Sequence, residues 1–461
     1  MSVLAAFMVP HPPMIVPEIG RGSETKIAET IRSYEQVADE IAALKPDTIL
    51  ISSPHTVLYA DYFHISPGSR AKGSFAQFRA PQVRFGEEYD EELAERICLE
   101  AAKEHFPAGV RGERDARLDH GVMVPLWFIR KRCPAGRIVR IGLSGLPLTE
   151  HYRFGMLIRS AVDALGRDVV FVASGDLSHK LQSYGPYGYA PEGPAYDRRI
   201  MEDCGRGDFG KLLDYDEVFC EKAAECGHRS FVIMAGTLDG MNVRSQALSH
   251  QDVTGVGYGI CTFFPEGKDE SRHFLEQHLS DLEERLSRKR EAADPYVKLA
   301  RRSLETYLLE GRMLPVPEHL PEELRKTRAG AFVSIHKHGK LRGCIGTIEP
   351  VCGSLAEEII RNAVSAATRD PRFDPVTRDE LKWLEINVDV MGKPEGIASE
   401  DELDVKRYGV IVTCGHRRGL LLPDLEGVDT PRQQVSIALQ KGGIRESERY
   451  RMERFEVVRH V

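Results

Sequence analysis

Residues 168–179 read DVVFVASGDLSH: an uninterrupted apolar run, rich in β-branched side chains, that breaks into a polar turn and stops on a histidine. A run with no polar alternation fits a strand buried on both faces, the kind found at the centre of a parallel sheet. The same arrangement occurs twice earlier. Val3–Val9 runs into Pro10-His11, and Asp47–Ser53 (DTILISS) runs into Pro54-His55. Arg137–Leu143 supplies a further strand, and Glu24–Leu44, Glu88–His105 and His151–Leu165 carry helical periodicity. Strands that alternate with helices of about 12 or more residues predict βαβ units around a mostly parallel central sheet, an α/β fold. Ligands of such sheets bind beyond the carboxyl ends of the strands. His11, His55 and His179 are therefore expected on one edge. Pro10 and Pro12 restrict the backbone on either side of His11, which holds the imidazole on a stiff turn.

The 461 residues exceed what one core usually supports, so two domains are expected. A formal net charge of −8 argues against a chain devoted to nucleic acid. Nine cysteines without a CxxC pair suit a reducing, cytoplasmic setting. No run of about 18 apolar residues marks a membrane span, and the first residues lack the pattern of a secretory leader. The chain divides near residue 267. Residues 1–266 form the α/β part, 267–293 a charged helical linker, and 294–461 a second domain. Leu275, Leu279, Leu282 and Leu286 place a narrow apolar seam along the linker, which permits a homodimer.

Two more segments carry candidate chemistry. LDHGVMVPLWF (118–128) places His120 ahead of an apolar segment, and ECGHRSF (225–231) places Glu225 and Cys226 ahead of an apolar helix, Phe231–Leu238. Two histidines with a carboxylate and open positions suit non-haem Fe(II), whereas a thiolate suits zinc or copper. Either Glu225 or Cys226 can complete the set. Asp176, three residues before His179, is positioned to orient that imidazole.

PHPPMIVPE (10–18), SSPHT (52–56), LDHGVMVPL, SGDLSH and ECGHRSF together resemble the LigB-like class III extradiol ring-cleavage dioxygenases and their Memo relatives, over about residues 1–265. The resemblance implies Fe(II) held by His11, His55 and Glu225, with Zn, Mn or Cu as alternatives. It implies His179 as acid/base and His120 against a catechol- or aminophenol-like substrate. In the Memo branch a cysteine takes the third ligand position, which implies Cys226.

The second domain reads as α+β. Tyr296–Leu309 and Leu355–Thr368 are helical, Ala331–Ile335 and Leu341–Ile345 flank the turn HKHGK, Glu385–Met391 is a strand, and Gly409–Cys414 pairs with Leu420–Leu422. LRGCIG (341–346) and GLLLPDLEGVDTPRQQVSIALQKGGI (419–444) resemble the AMMECR-type domain, from about residue 294 onward. Arg342, Cys344, His336, His338 and Arg417 are candidate pocket residues. Proteins of the AMMECR, Memo and radical SAM types form a recognised set, so the resemblance implies a fusion of two members with a radical SAM protein as partner.

Overall fold

The apolar runs become the centre of a six-stranded sheet. In the computed structural model, which describes residues 2–425 and 427–461, the strands are β1 (Val3–Val9), β2 (Thr48–Ser53), β3 (Arg137–Gly142), β4 (Val169–Ser174), β5 (Met241–Gln251) and β6 (Tyr258–Lys268). Their order is β3-β2-β4-β1-β6-β5. The first four run parallel, and β6 is antiparallel to both neighbours. Every residue of β2 and β4 is buried, as their unbroken apolar runs require. The sheet separates two apolar layers. Met8, Leu50 and Phe171 face α2 (Glu91–Lys103), α4 (Leu148–Leu165) and α5 (His228–Thr237). Phe7, Ile51 and Val172 face α1 (Ala28–Leu44) and α3 (His120–Arg132). β4 lies between β1 and β2, so the turn after it emerges between the ends that carry His11 and His55.

Several boundaries move for local reasons. α1 begins at Ala28 because Ser23–Ile27 winds as a 3-10 turn. α2 begins after Asp90, whose carboxylate accepts the Leu93 N–H and caps it. A hairpin of Arg70–Phe75 with Ala80–Glu88 has no counterpart in the apolar pattern. Its residues are mostly half-buried or exposed, so no apolar run announces them.

The chain divides into two units, residues 1–279 and 280–461. α6 (Phe274–Ala292) crosses the division, with Leu275 and Leu279 against the first core and Leu286 buried further along. The second unit is an antiparallel sheet of β7 (Ala331–Lys337), β8 (Lys340–Gly346), β9 (Leu384–Met391), β10 (Glu395–Ile397), β11 (Tyr408–Cys414), β12 (Arg417–Leu421) and β13 (Arg451–His460). The order is β8-β7-β9-β13-β11-β12, with β10 on β13. Its helices are α7 (Pro295–Glu310), α8 (Leu355–Thr368) and α9 (Pro431–Gly442). α7 and α8 share a core with β7 and β9, and this is an α+β unit. Among the described residues no helix is long and apolar enough to cross a membrane.

Candidate metal centre

Three chain segments deliver donors to one point. At the end of β1 the Tyr34 hydroxyl donates to the Pro10 carbonyl, and the His11 N–H donates to Asp176 Oδ1 at 2.7 Å. The Ser174 hydroxyl donates to the Gly121 carbonyl at 2.6 Å, so its oxygen is left to accept from His11 Nδ1 at 2.9 Å. That assigns the proton to Nδ1 and leaves the Nε2 lone pair free. At the end of β2, Ser53 donates to Asp119 Oδ1 at 2.6 Å and accepts the His55 N–H at 3.2 Å. His55 Nε2 then lies 3.0 Å from His11 Nε2. Cys226, ahead of α5, places Sγ 3.6 Å from the same nitrogen. The three ligand atoms lie within 4.8 Å of one another.

Small residues permit this approach. A Cβ on Gly175 would meet the Gly227 Cα at 2.1 Å, so the turn after β4 and the turn before α5 touch backbone to backbone. That contact brings the Asp176 N–H within 3.3 Å of the Cys226 sulfur.

The donor set fits a transition metal. Two imidazole nitrogens and a sulfur at these separations match ligands that each sit about 2.0–2.3 Å from a shared ion. Burial, with the neighbouring imidazoles, holds His11 far below its ordinary value. Burial lowers His55 against the opposing pull of Asp119 and Asp176. Both rings are thus neutral donors at pH 7. Burial, then the carboxylates of Asp176 and Glu225, raise the Cys226 thiol well above its usual range. Ionisation of that thiol therefore calls for a cation.

Of the two candidates for the third position, Glu225 and Cys226, the carboxylate of Glu225 faces the main chain. Its Oε2 accepts the His228 N–H at 2.6 Å at the start of α5, and burial pushes its carboxyl up to about 7. Helix geometry turns Glu225 to the main chain and leaves Cys226 at the imidazoles. Asp176 holds the His11 backbone, with Oδ2 4.0 Å from His11 Nε2, and makes no hydrogen bond to His179. Its burial raises the carboxyl to about 6. His179 packs on Tyr187 with ring centroids 5.0 Å apart, and its Nε2 is buried without a hydrogen-bond partner. His120 lies over His55 at 4.0 Å and meets Phe78 edge-on at 5.5 Å; burial and its neighbour His55 lower it to about 3. From His55 and His120 opens a cleft of about 1160 Å³, lined by Phe78, Phe85 and Met123 and by Lys72, Arg84 and Arg117. Ser174, Asp119 and Tyr187 escaped the sequence reading. Ser174 stood inside SGDLSH and Asp119 beside His120, but only the strand order reveals what each holds.

The second-unit candidates do not converge. Arg342 and Arg417 occupy the two edge strands, β8 and β12. Arg342 binds Glu380 through Nε at 3.0 Å and Nη2 at 3.1 Å, and the carbonyl of Asp374 at 2.7 Å. Arg417 binds Glu448 and the Gly443 carbonyl. Cys344 receives the Ser334 hydroxyl at 3.2 Å and donates its N–H to Asp370, the partner of Arg372. The cations coupled to its thiol are Arg372 and Arg459. His336 is half-buried, and His338 sits in the β7–β8 turn 6.0 Å from the Trp383 ring.

Residues 5–261 match the family described as catalytic LigB subunit of aromatic ring-opening dioxygenase, and residues 297–460 match AMMECR1. A Clostridium acetobutylicum protein, CA_C1420, is 42% identical over 472 residues, spanning 100% of this chain and 99% of its own. A Thermotoga maritima protein is 55% identical over 153 residues, 33% of this chain and 88% of that one. Among solved structures, uncharacterized protein PH0010 from Pyrococcus horikoshii is 32% identical with TM-score 0.35, covering 37% of this chain and 91% of that one. Uncharacterized protein JW3007 from Escherichia coli is 14% identical with TM-score 0.37, covering 56% and 99%. The chain belongs to the LigB family through its first unit, joined to an AMMECR1 domain.

Proposed function

We propose that the first unit binds one transition-metal ion through His11, His55 and Cys226 and acts, in the manner of a Memo-like module, on a small ring-bearing ligand in the cleft beside His120. The observation that carries this reading is the convergence of two imidazole nitrogens and a thiol from β1, β2 and the turn before α5. A bound ion supplies Lewis-acid or redox chemistry at that point. Sulfur ligation favours copper or zinc, while the imidazoles also accept iron. Ser174 fixes the tautomer of His11, and Asp176 fixes its backbone. His179, with a buried and unpaired Nε2, is the group that receives or returns a proton. The second unit and a radical SAM partner belong to the same proposal, tested by co-purification from cells.

The second reading is an Fe(II) extradiol dioxygenase acting on a catechol- or aminophenol-like ring. The LigB family match and the placement of His179 favour it. Its usual carboxylate ligand is not supplied by Glu225 in this geometry.

The deciding experiment is metal analysis of anaerobically purified protein, with cobalt or copper loading to reveal a thiolate charge-transfer band. Cys226→Ser is expected to lose both metal and band, and Glu225→Gln to keep both. The reverse result transfers the ligand role to Glu225. Catechol and 2-aminophenol are then screened by absorbance with and without dioxygen, where an oxygen-dependent ring-cleavage product establishes the second reading.

A further inference from the structure

A separate cavity of about 280 Å³ lies within the second unit, between the end of α6, the start of α7 and the start of β9. Leu286, Val297 and Ile386 contribute its apolar lining; Arg290, Lys298 and Arg301 bring three cations to it. The guanidiniums are anchored by main-chain oxygens. Arg290 donates to the Lys382 carbonyl at 2.9 Å, and Arg301 donates to the carbonyls of Leu381 and Leu384. Arg301 is largely buried and pairs with Glu305 at 3.4 Å, which leaves its second guanidinium nitrogen on main-chain oxygen. Among the described residues no carboxylate pairs with Arg290 or Lys298. The cavity's own acid, Glu385, is taken by Lys289 at 2.6 Å. Positive charge held on a fixed frame beside an apolar surface is costly without an anion to meet it. The α6 wall lies outside residues 297–460 but inside the second unit, so this cavity is built by that unit and not by the matched domain alone.

We propose that this cavity binds a small organic carboxylate, with its head group on Arg290, Arg301 and Lys298 and its apolar body against Leu286, Val297 and Ile386. A carboxylate satisfies the paired donors of a guanidinium, and the volume suits a body of one ring or a short alkyl chain. The site is independent of the metal centre.

The test uses the full chain with benzoate and hexanoate as probes, and with benzyl alcohol and benzylamine as their uncharged and cationic counterparts. Binding is read by calorimetry and by ligand-observed NMR. Both carboxylates are expected to bind, the alcohol and the amine far more weakly. Arg290→Gln, which removes a surface donor and leaves Arg301 in place, is expected to weaken benzoate about tenfold, the equivalent of one charge-assisted contact. Lys298→Glu on the exposed side of α7 is expected to do the same or more. Failure of both carboxylates to bind at millimolar concentration overturns the proposal. So does equal binding of benzyl alcohol, or carboxylate binding that neither substitution changes.

Discussion

The two units treat their polar side chains in opposite ways. In the first, β1, β4 and β2 run parallel and end on the same side, so residues as far apart as His11 and Cys226 meet there with their ligand atoms together. In the second, the strands are antiparallel and the arginines on or beside the sheet are paired with carboxylates: Arg342 with Glu380, Arg372 with Asp370, Arg459 with Asp389, Arg417 with Glu448. The contrast separates structure from chemistry. Ion pairs within the second sheet hold strands and turns, whereas the two imidazoles and the thiol of the first gather ligand atoms at one point with no cation beside them.

Breaking the approach of the two turns has the largest expected effect. Gly175→Ala puts a methyl against the Gly227 backbone, which cannot move aside as a side chain would. The expected cost is about 1–3 kcal/mol of stability, with loss of stoichiometric metal, read by thermal unfolding and metal analysis. Full metal content with unchanged stability would show that the two turns need not touch. Ser174→Ala comes next. It removes the acceptor that sets the His11 tautomer and leaves the His11 ligand atom in place, so metal affinity is expected to fall about 10–100-fold while the fold persists.

These effects were unequally legible in the sequence. The apolar runs ending at His11, His55 and His179 predicted their common edge because strand burial and strand direction are both written in local pattern. The choice between Glu225 and Cys226 was not. The two are adjacent, and the residue that turns inward depends on the helix start at His228 and on the Gly175–Gly227 contact, both tertiary facts. The hydrogen bond of Asp176 to the His11 backbone was hidden for the same reason: it joins the ends of two strands far apart in sequence, while the coupling to His179 is electrostatic. In the second unit Arg342, Cys344 and Arg417 read as one pocket edge, but β13 inserts at the centre of the sheet, between the strand that carries Arg342 and Cys344 and the strand that carries Arg417. That strand, RMERFEVVRH, is interrupted by charge and gives no apolar run to read.

Acid separates the units by a smaller margin. Burial keeps His11, His55 and His179 below their ordinary range, His120 and His151 at about 3 and His228 at about 4. Below about pH 6.5 the unfolded chain takes up protons that these native imidazoles refuse, so stability falls as pH falls, by up to about 1.4 kcal/mol per pH unit for each. Asp176 and Glu225, raised by burial to about 6 and about 7, act in the opposite sense and offset part of it. In the second unit burial opposes ionisation of Glu380, yet Arg342 and Lys337 hold it at about 2. Arg417 holds Glu448 at about 2. Those contributions persist until pH falls below about 4.5. The metal-free first unit is therefore expected to lose more stability between pH 6.5 and 4.5 than the second, where burial lowers His336. Trp127 and Trp383 lie one in each unit, so thermal unfolding of Trp127→Phe, followed by fluorescence, isolates the second. Earlier acid loss in the second unit would contradict the assignment.

The smallest expected effects compare two ion pairs on the opposite edges of the second sheet. The side chains of Arg342 and Glu380 are 18% and 13% exposed, against 35% and 30% for Arg417 and Glu448. Solvent screens the second pair more, so Arg342→Gln should lower the second unit's melting temperature further than Arg417→Gln. Neither should change metal content, because both lie on the sheet that does not carry the imidazoles. If Arg417→Gln instead altered binding of a ligand or partner without lowering the melting temperature, the basic turn 416–418 would be a recognition surface. Charge pairing would then hold one edge of the second sheet and serve recognition at the other.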